Sequence, residues 1–208
     1  TVAAKRISFS LFTSILIILP CAMGFASLSG PILKMIYPTA SDGALIFQIM
    51  SFAMIFNALN QTINGGLYGL GLQRVPVISL AVGVTAKTIL NVVLVSNKNI
   101  NITGAAIGSV VCQILVFILC FRALNKKLKV NFDFNKNILK PIIATIIMGV
   151  IVYGAHGMLN TICGNTISTI ISIIIGAVSY VIAIIALKVL SKEDIMMIPF
   201  GSKLYPVL

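Results

Sequence analysis

The sequence has no tryptophan, one histidine and only four acidic residues, set against fifteen lysines and arginines. Charged residues make up 9% of it, where a soluble domain carries roughly a quarter. Such a chain cannot build a solvated surface, so a soluble globular fold is excluded. One histidine (His156) and four scattered acids leave no pair for general acid–base work, which argues against a lipid glycosyltransferase or phosphatase. The four cysteines (Cys21, Cys112, Cys120, Cys163) have no C-x-x-C spacing, and at least three lie inside apolar segments and read as small membrane hydrophobes, not as metal ligands or a disulfide framework. Gly69-x-Gly71 lacks the G-x-x-x-x-G-K-[ST] spacing of a nucleotide-binding loop. No run alternates polar and apolar residues, so no membrane strand is expected. The net charge of +11 does not indicate nucleic acid, because the basic residues fall in short breaks between apolar runs instead of on one charged face.

What is present is apolar length. Hydrophobic residues make up 59% of the chain and the mean hydropathy is +1.10. A helix needs about 20 apolar residues to cross a bilayer. Six segments meet that rule: Phe9–Leu28, Ala44–Ile63, Pro76–Val95, Thr103–Phe121, Ile138–Met158 and Thr166–Leu187. The fold class is therefore an all-α polytopic membrane protein. SGP at 29–31 closes the first span and YPTASDG at 37–43 opens the second. SNKNINITG at 96–104 is a short connector, NKKLKVNFDFNKN at 125–137 a long basic loop, and HGMLNTICGN at 156–165 a neutral loop. The opening TVAAKR, with no initiator methionine or signal-peptide layout, reads as the middle of a larger protein.

Charge sets the expected topology. With six spans and Lys5 and Arg6 inside, twelve basic residues fall on the inner side, including Arg74, Lys126, Lys127 and Lys129. Only Lys34 and Lys98 fall outside. Each such charge is worth about 1 kcal/mol beside an anionic leaflet, so both ends of the chain are placed in the cytoplasm and anionic lipids are expected partners.

Several polar residues lie inside these spans. Lys87 is about 16 Å from Pro76 along its helix, at 1.5 Å per residue. That depth costs a lysine at least about 2.5 kcal/mol. Asn91 shares its face one turn on, and Gly83, one turn back, is expected to leave that face open. Lys87 therefore either meets a phosphate or another anion in a cavity, or is structural. Asn57, Asn60 or Gln61, and Asn64 form a stripe in the second span, with Gln113 a weaker case in the fourth. Such amides either glue helices together or face sugar hydroxyls in a cavity. Gly65, Gly66, Gly69 and Gly71 mark a cytoplasmic turn or hinge before Arg74, and Pro76 opens the third span. Pro20 predicts a kink in the first span. Gly104, Gly108 and their neighbours Ala105 and Ser109 suit close helix packing, as do Gly149 and Gly176. His156 reads as an interface residue, and Asn101-Ile-Thr103 as a chance glycosylation match.

The order NQTINGGLYGLGLQRVPVISLAVGVTAKTILNVVLV, then NITGAAIGSVV, resembles the carboxy-terminal half of the polysaccharide and lipid-linked oligosaccharide flippases. These belong to the multidrug, oligosaccharidyl-lipid and polysaccharide exporter superfamily. The likeness is carried by the NGGLYGLG turn, Arg74 with Pro76, Lys87 with Asn91, and the TGAAIG entry to the next span. The ending IPFGSKLYPVL is similar to the stage V sporulation protein B branch.

The resemblance implies a MATE-like carrier of about fourteen helices, of which these six are the ninth to the fourteenth. Residues 1–123 would be helices of the carboxy-terminal lobe, 124–137 a basic cytoplasmic loop, 138–190 an extra helix pair and 191–208 a cytoplasmic tail. It implies export of a polyprenyl-linked saccharide by alternating access in the bacterial cytoplasmic membrane, without a cofactor or covalent chemistry. The amino-terminal lobe of the same protein and envelope-biosynthesis enzymes would be partners. Lys87 and Asn91 match the family's lysine and asparagine in this helix. The alternatives are a drug or organic-cation exporter of the same superfamily and a non-transporting scaffold for envelope biosynthesis.

Overall fold

The computed structural model describes residues 2–37, 43–96, 102–128, 135–187 and 189. Lys98, Asn101, Lys129, Lys188 and the tail 191–208 lie outside the described residues. The chain divides into two compact units, Thr1–Asn131 and Phe132–Leu208.

The first unit holds five helices: α1 (Val2–Ser27), α2 (Ser29–Ile36), α3 (Ala44–Gly69), α4 (Arg74–Val95) and α5 (Ile102–Leu128). All except α2 are long and apolar enough to cross a membrane. They pack in the order α1, α3, α5, α4, so α3 and α5 are interior and α4 lies at an edge. Ser14 of α1 is hydrogen-bonded to Thr62 of α3 at 2.7 Å, and Phe25 meets Phe47 edge-on. On the other side of α3, Phe56 packs edge-on against Phe117 of α5. Ile63, Leu67, Cys120 and Leu124 are fully buried at these seams. The outward face of α4 carries Val77, Ile78, Val92 and Val93, all widely exposed. In water that surface would drive aggregation, whereas against acyl chains it costs nothing.

Several boundaries differ from expectation. SGP does not simply end a span. The chain restarts there as α2, with Pro31 at its third residue, where a helix needs no amide donor. Nor do Gly65 and Gly66 end the second span, since α3 runs on to Gly69. Gly66 is where α1 approaches closely: a Cβ there would meet Ile7 at 2.9 Å and Leu124 at 3.6 Å. The reversal itself is made by Gly71 at φ 73°, with Leu72 N–H donating to Leu67 C=O and Gly71 N–H to Tyr68 C=O. This is a Schellman cap, which requires a left-handed residue after the helix. α4 then begins at Arg74, two residues before Pro76, which lies in the first turn where it removes no helical bond. α1 contains Pro20 and stays helical to Ser27.

The second unit is a π turn at Asn135–Leu139 followed by α6 (Lys140–Ala186), whose 47 residues would reach about 70 Å if straight. It does not run straight. Gly164, at φ 74° and ψ 169°, breaks it into two arms, and these are the expected fifth and sixth spans. The arms lie against each other: a Cβ on Gly176 would meet Val152 at 2.6 Å, and Thr169 Oγ1 is 3.4 Å from His156 Nε2. The neutral loop expected over 156–165 is instead helix up to a one-residue turn. Its polar residues Asn160 and Thr161 sit on exposed helical positions, which is why their polarity misleads. Ser168, Thr169 and Ser172 are fully buried along the seam.

Candidate functional site

Lys87 and Asn91 stand on the flank of α4 that meets α5. Asn91 Oδ1 is buried with no hydrogen-bond partner and rests on Gly108, where an added Cβ would overlap it. The Lys87 stem passes the same spot, its Cγ 3.6 Å from where that Cβ would stand. Gly108 thus seats Asn91, with the Lys87 stem alongside at ordinary contact distance. From Asn91, an open depression of about 480 Å³ runs past Val92, Val95 and Ser96 towards the end of α4. Gly83, by contrast, is not open. Val116 Cγ2 and Cys112 fill the space beside it, because α4 and α5 approach closely along this row. Ser79, also buried, faces Cys120 along the same seam.

The amides of α3 divide into two groups. Asn60, only 4% exposed, donates from Nδ2 to Oε1 of Gln113 at 3.0 Å and to its backbone carbonyl at 3.1 Å. Asn60 and Gln113 are therefore glue between α3 and α5. Asn57 and Gln61 are exposed and linked to each other, Gln61 Nε2 donating to Asn57 Oδ1 at 3.4 Å. Asn64 is half-buried and its Oδ1 has no donor. Among the described residues, no hydrogen bond joins the α3 amides to Lys87 or Asn91.

The contact of Ile7 with Gly66 and Leu124 brings the start of α1 and the ends of α3 and α5 together. That end of the first unit carries exposed Lys5, Arg6, Arg74, Arg122, Lys126 and Lys127. Lys34 stands on the last turn of α2, beyond the far end of α1. Among the described residues, no group of His, Cys, Asp or Glu is placed to hold a metal ion.

Three residue roles escaped the sequence. The Ser14–Thr62 bond and the Ser79–Cys120 approach had no signal, because small hydroxyls inside apolar runs usually bond their own helix, as Thr13, Thr85 and Thr88 do. Gly108 was visible as a packing step, but its neighbour Asn91 was not.

Bundled apolar spans, an amide pair across one helix seam and a mid-span lysine define a polytopic membrane protein. More particularly, residues 2–172 match the family described as "Lipid II flippase MurJ", and the chain belongs to that family. It is also 25% identical over 207 residues to the "Uncharacterized membrane protein YabM" of Bacillus subtilis (strain 168). That similarity covers 96% of this chain and 38% of YabM, so the chain spans about two fifths of the relative's length. No solved structure matches.

Proposed function

We propose that the chain is part of a carrier that moves a polyprenyl-linked oligosaccharide or polysaccharide precursor from the inner to the outer leaflet by alternating access. The family match over residues 2–172 carries this reading. Within it, Lys87 supplies the charge for the lipid phosphate, and Asn91 and the adjoining depression supply space and hydrogen bonding. The polyprenyl tail stays in lipid, so binding is electrostatic at one end and polar at the other, with no bond made or broken. An ion gradient, or consumption of the product outside, drives the direction.

The six crossings then supply the ninth to fourteenth helices of a fourteen-helix carrier, with α6 as the extra pair. The basic end of the first unit faces the cytoplasm. The sporulation branch is supported only by the ending IPFGSKLYPVL, which lies beyond residues 2–172 and beyond the described residues.

The test is native mass spectrometry of the protein purified in mild detergent, wild type beside Lys87→Met. Co-purified polyprenyl-phosphate saccharide on the wild type, sharply reduced on Lys87→Met, is the expected result. Equal retention on both makes Lys87 structural. Absence of the lipid from wild type, even when it is added back in lipid nanodiscs, favours a drug exporter or a scaffold.

A further inference from the structure

We infer that the open face of α3 is a docking strip for the saccharide part of a lipid-linked glycan, with Tyr68 as its stacking surface and Asn57 and Gln61 as its hydrogen-bonding groups. This inference rests on the transport reading and adds to it a second subsite, apart from Lys87.

Residues 57, 61, 64, 65 and 68 recur at helical spacing and share one side of α3. Ile63 and Leu67, on the packed side, are fully buried, whereas Asn57, Gln61, Gly65 and Tyr68 are exposed, Tyr68 by 50%. Further towards Ala44 the same side carries exposed Met50 and Met54. Its character therefore changes from apolar to polar at Asn57, about 20 Å along the helix at 1.5 Å per residue. Lipid covers the methionine half without cost. It cannot cover the amide half so cheaply, because an unpaired amide moved into hydrocarbon costs about 4–8 kcal/mol. The Gln61–Asn57 bond meets part of that need. Asn57 Nδ2 and Gln61 Oε1 have no partner among the described residues, whereas Asn64 at the border of the strip has its Oδ1 buried.

The chemistry of the strip selects its occupant. It holds no charged side chain, so it does not favour a phosphate or a metal ion. Each amide offers both a donor and an acceptor, which suits hydroxyl and acetamido groups in any rotamer. Nothing lies within 4 Å of where a Cβ would stand on Gly65 or Gly69, so the ground beside Tyr68 is clear. An aromatic ring with a polar tip, next to a bare shelf, can take the C–H face of a pyranose. A tyrosine anchored at the headgroup level would be exposed in the same way. It would not, however, depend on amides two and three turns deeper in the membrane.

The experiment measures binding to the protein in lipid nanodiscs with two probes: a polyprenyl pyrophosphate bearing an N-acetylhexosamine disaccharide, and the same pyrophosphate without sugar. Tyr68→Ala and Gln61→Ala should each weaken the sugar-bearing probe about tenfold, or about 1.4 kcal/mol. The sugar-free probe should change less than about twofold, under about 0.4 kcal/mol. Tyr68→Phe, which keeps the ring, should bind both probes as wild type does. Equal loss for the two probes, or no loss for either, overturns the strip and leaves the carrier reading standing. Wild-type protein that binds neither probe removes both.

Discussion

An ammonium group at mid-membrane depth must find water, an anion or a partner, and one turn from Lys87 the amide Asn91 is seated on a glycine of the neighbouring helix. Gly108 has no Cβ, so Asn91 can lie on its backbone and the Lys87 stem can pass. Gly108→Ala is expected to displace Asn91, at about 1–3 kcal/mol of overpacking. Adding Asn91→Ala removes the overlap and should recover most of that loss, which a double-mutant cycle on unfolding in detergent would measure. Gly83→Ala tests the same helix seam away from Asn91. It should cost a similar amount, with no recovery from Asn91→Ala. At the α3–α5 seam, Asn60→Ala leaves Gln113 without its donor. About 0.6–1.7 kcal/mol is expected there, in line with interhelical hydrogen bonds in membranes.

At the scale of elements, the existence of the spans was legible in the sequence but their ends were not. Apolar length alone identifies α1, α3, α4 and α5, because about 20 residues without charge have no other stable place. Ends depend on local conformation. Of the glycines in the NGGLYGLG stretch, Gly71 alone takes a positive φ, and composition does not distinguish it from Gly65 or Gly66. The same holds at Gly164, where one backbone angle converts a run of 47 helical residues into two arms. Gly164→Ala is expected to cost about 1–3 kcal/mol, since that region of conformational space is essentially closed to residues with a Cβ. Cysteines placed at Val152 and Gly176 should form a disulfide under mild oxidation in a background lacking Cys21 and Cys163. Failure to cross-link would mean that the arms do not lie side by side.

For the whole molecule, the distribution of charge is the organising feature. Its membrane class and family were legible because composition excludes a soluble surface and because Lys87, Asn91 and the glycine turn resemble the flippase pattern. The division of the amides into glue and open strip was not legible. Asn60 and Gln61 are adjacent in sequence and chemically alike, and only packing against Gln113 separates them. The basic end of the first unit is proposed to face the cytoplasm. Single cysteines replacing Ser96 and Ser10 should then label from outside and inside respectively, and the reverse pattern would invert the topology. Lys126→Gln with Lys127→Gln should weaken the preference for anionic over neutral lipid retained on the protein in native mass spectrometry, at roughly 1 kcal/mol per charge.

The reversal at Gly164 bears on how the chain enters a membrane. Two crossings joined by a single residue leave no segment long enough to protrude, so a protease or an antibody has nothing to grip between the arms. Ser168 and Thr169 already bond the Asn165 carbonyl on their own arm, so what keeps the two arms together as they enter is the fit of Val152 over Gly176.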